Sequence, residues 1–216
     1  MSEIVPVGSE LPVGVVPERM HAVVIRPERE GEPVDSMQIE EVAVPECGPN
    51  DVLVKVMAAG VNFNGVWAAR GKPVSVMKMH PDEPFHIAGS DASGIVWKVG
   101  DAVSRWKPGD EVVLHCNQTC RQCPACNGSD PLACPNQRIW GYETNWGSFA
   151  QFTRVQVQQL LPKPEHLSWE EAASYGLTFF TAYRMLMGQA KMQPGDNVLI
   201  WGASGGLGVF AVQLAK

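Results

Sequence analysis

The chain has 216 residues, with 17 Lys plus Arg against 23 Asp plus Glu, so its net charge is −6 with histidine neutral. Apolar residues make up 45% and charged residues 19%, a globular balance that excludes a wholly disordered chain. The acidic balance, with no cluster of Lys and Arg, excludes a general nucleic-acid binder, whose grip on phosphate would need one.

Residues 1–20 carry Pro6, Pro12 and Pro17 with little periodicity and read as an extended N-terminal arm, without a basic region and apolar core of a secretory signal. From His21 to Pro164 short apolar alternations are cut by turn residues. Strands are predicted at His21–Arg26, Gln38–Val44, Asp51–Ala58, Ser93–Val99, Glu111–His115 and Phe149–Val155. Turns are predicted at Glu46–Asn50 and Lys107–Asp110, where proline presets φ and glycine accepts positive φ. Many short strands with Gly/Pro turns predict an antiparallel, barrel-like domain over 21–165.

The pattern changes after Pro164. Ser168 is a good N-cap, and Glu170 and Glu171 place negative charge in the first turn of a helix. A second helix is predicted over Thr181 to Met187 and a turn at Gln193–Asp196. Then come an apolar strand, Asn197–Trp201, a glycine loop, and a helix to Lys216. The stretch Val198 to Leu214 is broken by four glycines and falls short of the roughly 20 apolar residues that span a membrane. One β-α unit cannot bury both of its faces, so residues 166–216 read as the beginning of a doubly wound parallel sheet, and the chain as the N-terminal part of a longer protein.

The loop Gly202-Ala203-Ser204-Gly205-Gly206-Leu207-Gly208 follows the pattern G-x-x-G-G-x-G. Its glycines let the backbone approach a pyrophosphate, whose charge meets the amides at a helix N-terminus. The alternative is a tight strand-to-helix turn that binds nothing.

Cys120, Cys123, Cys126 and Cys134 lie within 15 residues in a lobe over 116–135 that also holds Pro124, Gly128 and Pro131. Four thiolates at that spacing suit one tetrahedral zinc ion, and with no position left open its role would be structural. The alternative is four reduced, unliganded thiols in a surface loop. Cys116 reads as strand core and Cys47 as a turn residue. Trp140, Trp146 and Trp201 read as core, and no histidine falls at ligand spacing.

Glycine loop, cysteine lobe and barrel together resemble the medium-chain dehydrogenase/reductase superfamily, in which a GroES-like domain precedes a Rossmann domain. In its zinc alcohol dehydrogenases the catalytic zinc ligands align with Asn62, Ser90 and, approximately, Tyr175, none of which is a usual zinc ligand. The words Gly60–Trp67, His86–Asp91, Arg138–Thr144, His166–Ala173 and Val198–Gly208 resemble more narrowly the crotonyl-CoA carboxylase/reductase family.

That resemblance implies a cytoplasmic oxidoreductase using NADPH on an α,β-unsaturated acyl-CoA thioester, with CO2 as co-substrate where it carboxylates. It implies a homo-oligomer at full length, and no membrane or nucleic-acid partner. By motif match Asn64, Tyr142 and Glu143 would form the CO2 pocket, completed by a histidine beyond this chain. Thr178 and Gly202, Ala203, Ser204, Gly205, Gly206 and Leu207 would contact the cofactor. Position 142 is often Phe in the family, so Tyr142 is a departure, and many carboxylating members lack the four cysteines. Both departures leave open an enoyl- or acryloyl-CoA reductase that does not carboxylate. Other readings are an inactive zinc-binding fragment and a zinc alcohol dehydrogenase. Read without the resemblance, Asn62 and Asn64 would be turn asparagines, Tyr142 core and Glu143 a surface carboxylate.

Overall fold

The structure, a computed structural model, describes residues 4–216. The first three residues of the expected arm lie outside the described residues. The chain divides into two compact units, one ending at Ser174 and the other comprising Tyr175–Lys216.

In the first unit the order is β1 (Arg19–Ile25), α1 (Pro33–Ser36), β2 (Gln38–Ala43), β3 (Asp51–Gly60), α2 (Phe63–Arg70), α3 (Val76–Met79), β4 (His86–Ile87), β5 (Asp91–Val99) and β6 (Glu111–Leu114). It continues with β7 (Asn117–Gln118), β8 (Arg138–Ile139), β9 (Phe152–Gln156), β10 (Leu160–Pro162) and α4 (Trp169–Ala173). The five-stranded sheet runs β10-β6-β5-β3-β9, the three-stranded sheet β2-β1-β4, and β7 pairs with β8. Every named pairing is antiparallel. The two larger sheets meet where Val23 N–H donates to the Phe149 carbonyl at 2.7 Å and Gln151 N–H to the His21 carbonyl at 3.1 Å. This is the barrel-like domain expected from the sequence.

β3 shows why alternation is weak in the middle of the barrel. Val52, Leu53 and Val54 are all buried, because Val52 and Val54 pack with Val96 and Val112 on one face while Leu53 packs with Met20, Trp97 and Phe152 on the other. A strand covered on both faces reads as a continuous apolar run. Trp97 also donates its indole N–H to the Val15 carbonyl at 2.7 Å, which ties the arm to the barrel. α4 begins as expected at Ser168, whose side chain caps Glu171 N–H while the Glu171 side chain accepts from Ser168 N–H. That reciprocal pair satisfies two donors that helix geometry leaves open.

α2 was not expected: Asn62 and Asn64 stand at its beginning, and it ends at Gly71 in the left-handed region. Its buried side is small, Gly65, Ala68 and Ala69, so the 3.6-residue apolar period that signals an amphipathic helix is faint.

In the second unit α5 (Gly176–Tyr183) starts earlier than the helix predicted at Thr181, passes into a π-helical turn over Arg184–Gln189, and is followed by α6 (Gly206–Ala215). Asn197–Trp201, expected as a strand, forms none: no described strand lies beside it to accept its hydrogen bonds. Trp201, expected in the core, is 88% exposed for the same reason. No helix among the described residues is long and apolar enough to cross a membrane.

Candidate functional site

β3 ends at Gly60, which pairs with Asp91 at the beginning of β5. The chain leaving β3 enters α2, so its first residues lie against the Gly89–Asp91 turn. Asn62 occupies the N-cap position but makes no side-chain cap. Its Nδ2 donates instead to Asp91 Oδ2 at 2.8 Å. Asn64 Nδ2 donates to Ser90 Oγ at 2.7 Å. Two amides, two residues apart, are thus pinned to two consecutive residues that are themselves fully buried. Asn64 Oδ1 is buried and has no hydrogen-bond partner.

The 139–149 loop forms the neighbouring wall. Gly141 has φ +71° and crosses the chain at Gly89 so closely that a Cβ would lie 1.9 Å from the Gly89 carbonyl oxygen. No other residue fits that crossing. Tyr142 packs on the cluster of Ile25, Ala68, Ala69 and Met77 and lies 6.4 Å, ring to ring, from Trp67, one turn after Asn64 on α2. Burial, with Glu143 beside it, pushes the Tyr142 phenol above its ordinary pKa, so it stays protonated. Glu143 Oε2 accepts from Ile139 N–H at 2.7 Å. His80 Nε2 lies 2.6 Å from the Glu143 carbonyl oxygen, and since a carbonyl only accepts, that nitrogen carries the proton. His86, buried under the loop, is driven down to about 4 by desolvation and is therefore neutral at pH 7.

The four cysteines of the lobe converge: their Sγ atoms all lie within 4.8 Å of one another, with Cys123 and Cys126 at 3.5 Å and Cys120 and Cys126 at 3.9 Å. Tetrahedral zinc with bonds of about 2.3 Å sets sulfur–sulfur edges of about 3.8 Å, so the set fits one ion. Backbone N–H groups of Gln122 and Cys123 directed at its sulfur hold the Cys120 thiol down to about 6. Cys116, by contrast, is pushed up to about 12 by burial and is core, as expected. Among the described residues these four form the one group of three or more His, Cys, Asp or Glu able to hold a metal.

In the second unit Gly205 caps α6, and Gly205 N–H donates to the Gly202 carbonyl at 2.9 Å. A Cβ on Gly208 would lie 2.2 Å from that same carbonyl oxygen, so the loop folds onto its own helix only with glycine there. The residues from Gly202 through Leu207 are exposed, leaving the amides at the start of α6 accessible. Thr178 abuts this end: a Cβ on Gly206 would meet its Cγ2 at 3.2 Å. The loop and Thr178, singled out separately in the sequence, are neighbours.

Residues 48–165, just over half of the chain, match the alcohol dehydrogenase GroES-like domain. The chain belongs to this GroES-like family. Within it, the chain is 60% identical over 214 residues to the crotonyl-CoA carboxylase/reductase of Cereibacter sphaeroides, covering 98% of this chain and 50% of that protein. A solved crotonyl-CoA carboxylase/reductase in complex with NADP superposes with a TM-score of 0.94 at 49% identity, covering 100% of this chain and 55% of the other. The 2-octenoyl-CoA carboxylase reductase CinF from Streptomyces sp., in complex with NADP and 2-octenoyl-CoA, superposes at 0.88 with 42% identity, covering 93% and 50%. The resemblance read from the motifs therefore holds. The chain spans about half the length of the curated relatives it matches.

Two contacts in this GroES-like domain escape the sequence reading. Ser90 reads there only as a departure from a zinc ligand, and His80 as a histidine outside any ligand spacing. Their partners lie 26 and 63 residues away, and no local pattern marks either pairing.

Proposed function

We propose that the full-length protein containing this chain reduces an α,β-unsaturated acyl-CoA with NADPH and joins CO2 to the resulting enolate. The observation that carries this reading is the Asn64–Ser90 pair. Ser90, one of the positions that align with the metal ligands of a zinc alcohol dehydrogenase, instead accepts a hydrogen bond from the Asn64 amide at 2.7 Å. Such a pair offers hydrogen bonds and no Lewis acid, which suits reduction of an activated alkene better than oxidation of an alcohol.

Bound NADPH supplies the hydride for the β-carbon, which leaves negative charge on the thioester enolate. The amides at the start of α6 and the Gly202–Leu207 loop would hold its pyrophosphate, with Thr178 against the loop. Asn64 has two amide protons and gives one to Ser90; the other would donate to an oxygen of CO2. Glu143 stands next to Tyr142 with its carboxylate braced by Ile139 N–H, positioned to order water at the pocket wall. The thiolates of Cys120, Cys123, Cys126 and Cys134 would hold a structural zinc ion, which supplies the folding energy of a lobe with little secondary structure.

Tyr142 favours a second reading, reduction without carboxylation. Its phenol keeps a proton in the pocket wall, where Phe would keep the wall apolar.

Crotonyl-CoA and NADPH given to the full-length protein test the shared core of both readings. Consumption of NADPH that requires the enoyl-CoA supports them. Consumption of NADP+ with a simple alcohol, and none of NADPH with crotonyl-CoA, would refute both.

A further inference from the structure

We propose that Ser90 is a positioning residue that anchors the Asn64 carboxamide at the pocket, and thereby sets how the enolate divides between CO2 and a proton. This rests on the proposed carboxylation. A serine hydroxyl both accepts and donates, so the contact fixes where the amide lies rather than which of its ends is turned to the pocket. The hydrogen bond recorded for the Asn64 side chain joins Nδ2–H to Ser90 Oγ at 2.7 Å, and it restricts rotation about the side-chain torsions. With Nδ2 held at Ser90, its second N–H is available to a CO2 oxygen. Without the hydroxyl the carboxamide is free to swing off that position.

Ser90 is suited to this because the backbone on both sides of it is tied down. On one side the Gly89 carbonyl accepts from Ser148 N–H at 2.9 Å. On the other, Asp91 is held by its pairing with Gly60 and by Asn62 Nδ2 at 2.8 Å. Ser90 itself is fully buried. Asn64 stands opposite on α2, whose Ala68 and Ala69 are buried in the packing beneath. Both partners are therefore fixed by backbone structure, and the hydroxyl serves as a stop for the amide.

The test is the ratio of carboxylated to reduced product from the full-length protein supplied with crotonyl-CoA, NADPH and 13C-bicarbonate. It is measured for wild type, Ser90→Ala, Asn64→Ala and the double variant. Loss of one such hydrogen bond lowers the ratio about tenfold in Ser90→Ala while NADPH consumption continues. Asn64→Ala lowers it at least as far, and adding Ser90→Ala to Asn64→Ala changes it no further. That non-additivity separates a residue acting through Asn64 from one that merely supports the fold. Ser90→Cys, close in size with a weaker acceptor, serves as a second variant if Ser90→Ala fails to fold, and its ratio must also fall. A wild-type ratio in these Ser90 variants, or an equal drop on both backgrounds, overturns the role of Ser90 alone. A wild-type enzyme that makes no labelled product overturns the carboxylation reading and this inference with it.

Discussion

Val52-Leu53-Val54 in β3 and Val198-Leu199-Ile200 before the glycine loop are nearly the same apolar triplet, yet they meet opposite fates. The first is buried throughout, paired with β5 on one side and β9 on the other. The second forms no strand, and Leu199 is 81% exposed. A strand is made by its neighbours: apolar residues stabilise it only when a second strand takes the backbone hydrogen bonds and a second layer takes the side chains. The same contrast runs through the chemistry. The cysteine lobe brings together four thiols from 15 consecutive residues within one loop. The glycine loop offers exposed amides at the start of a single helix.

The comparison is broken most forcefully at the lobe. If the cysteines assemble one metal site, Cys134→Ser lowers bound zinc from about one per chain to near none and exposes residues 116–139 to protease, because the metal supplies the folding energy there. Elemental mass spectrometry and limited proteolysis check this. Unchanged zinc in the variant would mean that the ion is held elsewhere.

Next in size is a pair of truncations in this 216-residue chain. Leu53→Ala in β3 is expected to cost about 2–5 kcal/mol as a buried large-to-small change. Trp201→Ser, at an exposed side chain, is expected to cost less than about 0.5 kcal/mol. Denaturant titration of both variants decides. Equal costs would show that Trp201 is buried in solution and that the contrast between the two triplets fails.

Somewhat smaller is the pH dependence from His86. Its folded pKa, about 4, lies below the ordinary value of 6.5, so the unfolded chain binds the proton more readily between those limits. Stability from this group is full above pH 6.5, is lost as pH falls towards about 4, and amounts to about 3 kcal/mol over that window. The His86→Asn variant is expected to show a flatter stability profile over that window, whatever its stability at pH 7. A profile as steep as that of the wild type would place the titration elsewhere.

What the sequence disclosed follows how local each signal is. The six principal strands, the Ser168 cap and the cysteine spacing depend on residues close in the chain, and all were legible. The helix at 63–70 was not, because Gly65, Ala68 and Ala69 give it a buried face too small to register as a period. The strand predicted at Asn197–Trp201 had the right composition and lacked a partner, which composition cannot reveal. At the site, Asn64, Tyr142 and Glu143 came from family motifs. Ser90 and His80 emerged only when folding brought distant segments together.

The most direct measurement on the central claim is the mass of the acyl-CoA formed by the full-length protein from crotonyl-CoA and NADPH in 13C-bicarbonate. The account predicts a saturated product carrying one labelled carboxyl group, formed with one NADPH consumed. A saturated product without label would contradict it, and would point to protonation of the enolate at a pocket wall made by Tyr142.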